Sequence, residues 1–326
     1  MGKSRVEEFL VEKWEYATIP AIKPLIEKID CSGLISAGSC FSRNLNRWLL
    51  HFGLSKQKMP WDILYNPFSI SMEIIRLFEK VDWQNGIIYE TDKIGKTIRC
   101  RDPWRSWKSF EIVEQLIEFN QKFDVSAKNT ISQATGFLFT FGLSEVWSHR
   151  DDFNITVNQL PANTVFRKNN AWQSRFASIV EVSDVILGLV KVIRKNFGSS
   201  IPIIFTLSPV PLKYSFSGLS IREANNISKA TILLALHQIS RAEENVYYFP
   251  VYEIVQALSE QDFPVWQDDG RHVTATTVNF IAKQFIVNFC NNEINDSSFS
   301  DFWVPFVNNA GKISGRLYAD NRIISN

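Results

Sequence analysis

The chain has 326 residues, 45% of them hydrophobic and 21% charged, with a formal net charge of +1. Such a length and composition allow one large or two small globular domains with a sizeable core, and the balanced charge gives no basis for nucleic acid or an anionic membrane surface as a partner. No apolar run approaches the roughly 18 residues of a membrane span, and the N-terminus MGKSRVEEFLVEKWEYATIP carries charges where a secretory leader would be apolar, so an unprocessed, cytoplasmic chain is expected.

In chain order, residues 1–30 read as an N-terminal extension. Leu34 to Ala37 form a short strand-like run after Gly33, followed by the turn Gly38-Ser39-Cys40. Phe41, Leu45, Trp48 and Leu49 then recur at helical spacing up to Gly53, giving strand, tight turn, helix. Residues 81–107 are polar and Trp-rich, ending in RDPWRSW, and read as an insertion over the loop edge of a sheet. A helix is expected over Phe110 to Phe123, and a buried strand over Gly136 to Phe141. Residues 150–170, with Pro161, read as a second insertion, and Ala171 to Asn196 as one long helix. Ile201 to Leu207 is a further buried strand. Ile221 to Ser240 is a helix with Ile227, Ala230, Thr231, Leu234 and Ile239 along one side. Val246 to Pro250 is another strand, and Thr274 to Asn291 the closing helix. Residues 293–326 read as a C-terminal extension.

Strands alternating with helices predict an α/β domain over 31–292 with a mainly parallel sheet. Its functional groups belong in the loops past the strand ends. The four cysteines, Cys31, Cys40, Cys100 and Cys290, are scattered without a C-x-x-C pair or a neighbouring histidine. Neither a disulfide framework nor a metal site is expected from them, only reduced thiols.

Ser39 is the first candidate for chemistry. A serine in a sharp strand-to-helix turn presents its hydroxyl outward together with its own amide and those of the helix terminus, which suits a nucleophile and an oxyanion hole at once. The plainer local role is a helix cap. Cys40 competes as nucleophile, since a helix N-terminus can lower a thiol pKa, but one residue into the helix its side chain is expected to turn toward the core, which favours Ser39. Asp269 stands three residues before His272, a spacing at which the carboxylate can hold one ring nitrogen while the other serves as general base. Asn66, Ser144 and the Ser39 amide are the candidate oxyanion donors. Glu145 and His149 follow a strand end and are candidate substrate contacts. Trp104 and Trp107 offer a sugar-stacking platform, with core or lid packing as the competing role. His51 and His237 fall within helical patterns and read as structural.

Taken together and in this order, Gly38-Ser39-Cys40-Phe41-Ser42, Asn66-Pro67-Phe68-Ser69, Gly142-Leu143-Ser144-Glu145-Val146-Trp147, Ser208-Pro209-Val210-Pro211 and Asp269-x-x-His272 resemble the GSCFA family, which is named for the first of these motifs. That family is grouped with the SGNH, or GDSL-type, hydrolases. The resemblance implies a three-layer α/β/α flavodoxin-like fold, no cofactor and no metal, and a triad mapping onto Ser39, Asp269 and His272. It implies hydrolysis of acyl esters, small-molecule or carbohydrate-borne. Transfer of the acyl group to a sugar hydroxyl and a non-catalytic binding role on the same fold are the alternatives. The chain departs from the wider superfamily in reading Gly-Ser-Cys for Gly-Asp-Ser in the first block, and Gly142-Leu143-Ser144-Glu145 for Gly-x-Asn-Asp in the third. The second change removes a side-chain amide from the expected oxyanion hole.

Overall fold

A computed structural model describes residues 20–291, apart from 21, 23, 26, 93–95, 153–154, 161–170 and 262–263. The elements follow in the order β1 (Leu34–Gly38), α1 (Cys40–His51), α2 (Pro67–Phe78), β2 (Ile88–Thr91), β3 (Thr97–Arg101), α3 (Val113–Ile131), β4 (Gly136–Phe141), β5 (Glu145–His149), β6 (Thr156–Val157) and β7 (Trp172–Phe176). They continue with α4 (Ile179–Phe197), β8 (Ile203–Leu207), α5 (Ile221–Ala242), β9 (Val246–Tyr248), α6 (Val251–Glu260) and α7 (Ala275–Phe289). Strands β1, β4, β8 and β9 pair in that order, all parallel, into the central sheet.

The near-continuous apolar character of these strands follows from burial on both faces. Side chains alternate across the pleat. Ile35, Ala37, Phe137, Phe139, Phe141, Ile203, Phe205 and Leu207 join one core, with apolar residues of α2, α3, α4 and α5. Leu34, Leu138 and Ile204 join the other, with α1, α6 and α7. The expected α/β architecture, a parallel sheet between two helical layers, is what the chain adopts.

Two smaller sheets lie outside this frame. One is the antiparallel pair β2–β3; the other is three-stranded and antiparallel, in the order β6-β5-β7. They arise within and beside the two expected insertions. Residues 161–170 of the second insertion and the whole extension 293–326 lie outside the described residues. Residues 1–19 of the N-terminal extension do too, whereas Leu25 and Ile29 pack into the second core, so the chain joins the domain before residue 31.

Several expectations are corrected. The long helix expected over Ala171 to Asn196 is a strand and then a helix. Trp172–Phe176 pairs with β5, and Ser178 caps α4 in a capping box with Glu181, each side chain taking the other's backbone N–H. Ser178-x-x-Glu181 was the readable start signal. The helix expected from Phe110 begins at Val113 and runs on to Ile131. On α5 the buried stripe is Ala224, Ser228, Lys229, Ile232, Ala235, Leu236 and Ile239, while Ile227 and Leu234 are exposed. Apolar periodicity misplaced the face because two polar side chains, Ser228 and Lys229, turn inward to bond backbone groups. Finally, Cys31 and Cys290 form a disulfide across 259 residues of sequence, where only reduced thiols were expected. Ile29 and Cys290 bridge as a parallel pair, and this pairing brings the ends of the domain together.

Candidate functional site

The turn between β1 and α1 is forced by Gly38. Its φ of +141° is open to glycine, and a Cβ there would lie 2.3 Å from the Thr140 carbonyl oxygen of β4. The close approach puts the next residue, Ser39, over the end of the sheet. Ser39 is the N-cap of α1 by position, yet its side chain caps nothing. Its hydroxyl donates instead to Ser208 Oγ at 3.1 Å, and its amide donates to the Thr140 carbonyl at 3.3 Å. Both the cap role and the oxyanion role of the Ser39 amide are therefore corrected: the amide continues the sheet ladder. Ser39 itself is only 3% exposed.

Cys40, the first residue of α1, does not turn into the core as expected. The buried face of that helix is carried by Phe41, Leu45, Trp48 and Leu49, which leaves Cys40 half-buried at the edge of a cavity of about 450 Å3. Burial raises the Cys40 thiol pKa, partly offset by the amides of Phe41 and Cys40 and the nearby Arg43 and Arg271 guanidinium groups.

The same cavity receives His272 and Arg271 from the loop that precedes α7. Gly270, at φ +65°, turns this loop sharply. Asp269 Oδ1 accepts from the amides of Arg271 and His272, both at 2.9 Å. Its Oδ2 meets His272 Nδ1 at 2.5 Å. The His272 amide, the Arg271 amide and the imidazole together hold the Asp269 carboxyl well below the usual carboxylate range. A carboxylate on Nδ1 fixes the tautomer that leaves the Nε2 lone pair free to take a proton.

The opposite wall comes from the ends of β4 and β8. The Gly142 and Leu143 amides both donate to the Tyr65 carbonyl, at 3.1 and 3.0 Å. Lys229 is fully buried beneath, donating to the carbonyls of Ser208 at 2.8 Å and of Gly142 and Val210 at 3.0 Å each. Burial lowers its pKa to about 7. Beside it Ser228 Oγ accepts from the Ser144 amide at 2.6 Å. Sequence reasoning missed Lys229, since a lysine inside a helical pattern reads as a solvated residue.

The other expected site residues are only partly assembled. Glu145 lines the cavity, as does Trp147. Glu145 Oε1 accepts from Ser174 Oγ and the Phe216 amide, at 2.8 and 2.7 Å. Asn66 is buried as the N-cap of α2, accepting from the Ser69 amide and donating to the Val157 carbonyl at 2.9 Å each, so it is a fold anchor and not a donor to the cavity. Ser144 is fully buried behind the wall. His149 packs edge-on against Trp172 and accepts from the Asp151 amide, away from the cavity. Trp104 is buried, donating to the Thr156 carbonyl, and Trp107 packs on Phe123, so neither forms a stacking platform. Their segment is held by an ion network. Arg105 forks onto buried Glu73 at 2.8–3.0 Å, donates to Asn120, and pairs with Asp124; Arg76 donates to Asp102 at 2.7 Å. The stacking platform expected of Trp104 and Trp107 in RDPWRSW gives way to the packing role, because the charges around them are paired inside the protein.

The observations that mark the chain's kin are thus in place: the glycine-forced turn after β1, the Asp269–His272 pair, and the β4 and β8 ends around one cavity. The GSCFA family model matches residues 33–285. The chain belongs to the GSCFA family. Neither a curated protein nor a solved structure matches it. The matched span of this GSCFA protein runs from the residue before β1 into α7, so it contains every element that contributes to the cavity.

Proposed function

We propose that this GSCFA protein is an acyl-ester hydrolase on an SGNH-type fold, working by acyl-enzyme chemistry in the cavity beside the β1–α1 turn. The observation that carries the reading is the 2.5 Å contact between Asp269 Oδ2 and His272 Nδ1, with His272 opening onto the same cavity as that turn. Such a pair has the geometry of an oriented general base. A nucleophile of the turn gives up its proton to His272 and attacks the acyl carbonyl; water then releases the acid.

The oxyanion donors differ from those expected, because Asn66 and the Ser39 amide are engaged elsewhere and Ser144 is fully buried and does not line the cavity. The uncapped N-terminus of α1, with the amides of Cys40 and Phe41, takes that role. Apolar side chains of Val146, Trp147, Leu212 and Phe216 wall one part of the cavity and suit an acyl chain, while Arg43, Asn158 and Gln159 suit a hydroxylated leaving group such as a sugar.

The test is hydrolysis of p-nitrophenyl acetate and of acetylated sugars by the wild type and by His272→Ala. Loss of about a hundredfold or more in rate with the fold retained supports the reading. Equal rates in the two proteins overturn it.

A further inference from the structure

We infer that the nucleophile of this site is the Cys40 thiol and that Ser39 is a structural residue of the turn. The inference rests on the hydrolase reading above and sharpens it to a thioester mechanism. Ser39 has both of its polar groups engaged. The amide belongs to the ladder with Thr140, and the hydroxyl donates to Ser208 Oγ at 3.1 Å, 3% exposed. To attack, its hydroxyl would have to leave Ser208, whose carbonyl at the end of β8 is tied by Lys229.

Both Ser39 and Cys40 line the cavity that His272 and Arg271 also line, and of the two Cys40 is the more exposed, half-buried where Ser39 is 3% exposed. Ser39 does not cap α1, so its side chain leaves the first amides of the helix open, and the amides of Phe41 and Cys40 work against the rise in thiol pKa that burial causes. The same amides that hold a thiolate can hold the oxyanion that forms one bond away. Burial keeps the resting thiol protonated, so it needs a base to become nucleophilic. Asp269 orients one such base in this cavity. Glu145 and Arg271 also line the cavity, and Glu145 Oε2 and Arg271 Nε are buried with no hydrogen-bond partner among the described residues.

The chemistry balances as follows. His272 Nε2 takes the thiol proton while Sγ forms a bond to the acyl carbon. The tetrahedral oxyanion collapses, the bond between carbon and the leaving alkoxy oxygen breaks, and His272 returns the proton to that oxygen. A thioester on Cys40 remains. Water, deprotonated by His272, attacks it; the C–S bond breaks, and the carboxylic acid and the free thiol are regenerated.

The experiment is a quench of the wild-type protein during p-nitrophenyl acetate turnover, followed by peptide mass spectrometry and a hydrolysis assay of Cys40→Ala and Ser39→Ala. The expected result is an acetyl group on the Cys40 peptide, removed by neutral hydroxylamine as a thioester is, still formed in Ser39→Ala. Hydrolysis falls at least about a hundredfold in Cys40→Ala. An acetyl group on Ser39, or a rate in Cys40→Ala close to wild type, overturns the inference and leaves the hydrolase reading standing. Absence of hydrolysis by the wild-type protein overturns both. The adduct is mapped on the wild type, so the outcome does not depend on any variant folding.

Discussion

Lys229 Nζ donates to the Ser208 carbonyl at 2.8 Å, and the same ammonium reaches the carbonyls of Gly142 and Val210. One buried side chain on α5 thereby fixes the ends of two neighbouring strands, β4 and β8, on which the cavity wall is built. An ammonium has three N–H donors and here has three acceptors, which is how a fully buried lysine is tolerated.

Replacing Lys229 by Met leaves three carbonyls without their donor. The expected cost is on the order of 3 kcal/mol, at about 1 kcal/mol for each lost hydrogen bond. The pH dependence has a definite sign. Burial lowers the folded pKa to about 7, below the unfolded value of about 10.4. Between these limits the unfolded chain binds more protons, so the Lys229 contribution to stability rises with pH from about 7 to about 10. Denaturant unfolding at several pH values should show this slope in the wild type and lose it in Lys229→Met. An identical slope in both proteins would show that Lys229 does not titrate in that range.

Asp269→Asn should cut ester hydrolysis by about 10³–10⁴-fold with little change in fold, because an amide at this position no longer selects the Nδ1–H tautomer. Since three donors hold Asp269 ionised far below neutrality, its titration should place no acid limb in the rate profile above about pH 4. The sign is that of a depressed carboxylate: its stabilising contacts are present above the unfolded pKa near 3.9 and are lost as pH falls further. Initial-rate profiles from pH 4 to 9 for both proteins decide this.

Gly38→Ala places a methyl group 2.3 Å from the Thr140 carbonyl oxygen, at a φ of +141°. Strain and overpacking combine, and a loss of about 3 kcal/mol or more is expected. Thermal unfolding would measure it, together with loss of hydrolysis as the turn shifts; a midpoint within a degree of wild type would show that β1 and β4 can separate freely.

Arg105→Leu removes the forked partner of Glu73, which has no exposure and whose carboxyl pKa burial already pushes up, and leaves it only the looser pair with Arg76 at 3.7 Å. Removing one partner of a buried pair typically costs about 3–5 kcal/mol. The double variant Glu73→Leu/Arg105→Leu should cost less than the two single changes added together, since it leaves no lone buried charge between the two positions. Urea unfolding of the four proteins of the cycle tests this, and simple additivity would show that the two groups are not coupled.

The Cys31–Cys290 bond closes a loop of 259 residues. Reduction, or Cys290→Ser, should lower stability by roughly 2–4 kcal/mol, chiefly through the unfolded chain's regained freedom. A melting midpoint unchanged by reductant in the folded protein would argue against the bond. Such bonds persist in oxidising compartments, which sets this pair against the cytoplasmic location expected from the N-terminus.

The sequence by itself determined the layered α/β frame. Leu34 to Ala37, Gly136 to Phe141 and Ile201 to Leu207 could be read because a strand buried on both faces must be apolar throughout, and α1 because its buried residues recur at 3.6-residue spacing. It also determined the Asp269–His272 pair, since three residues bridged by a glycine are a local relationship. The side of α5 that faces inward, the contacts of Asn66, Trp104 and Trp107, the Cys31–Cys290 pairing and the engagement of the Ser39 hydroxyl were decided by tertiary structure alone. Each depends on a partner remote in sequence: Ser208 for Ser39, Val157 for Asn66, Thr156 for Trp104, three strand-end carbonyls for Lys229. A polar side chain's place, inside or out, is set by whether such a partner awaits it, and periodicity carries no information on that.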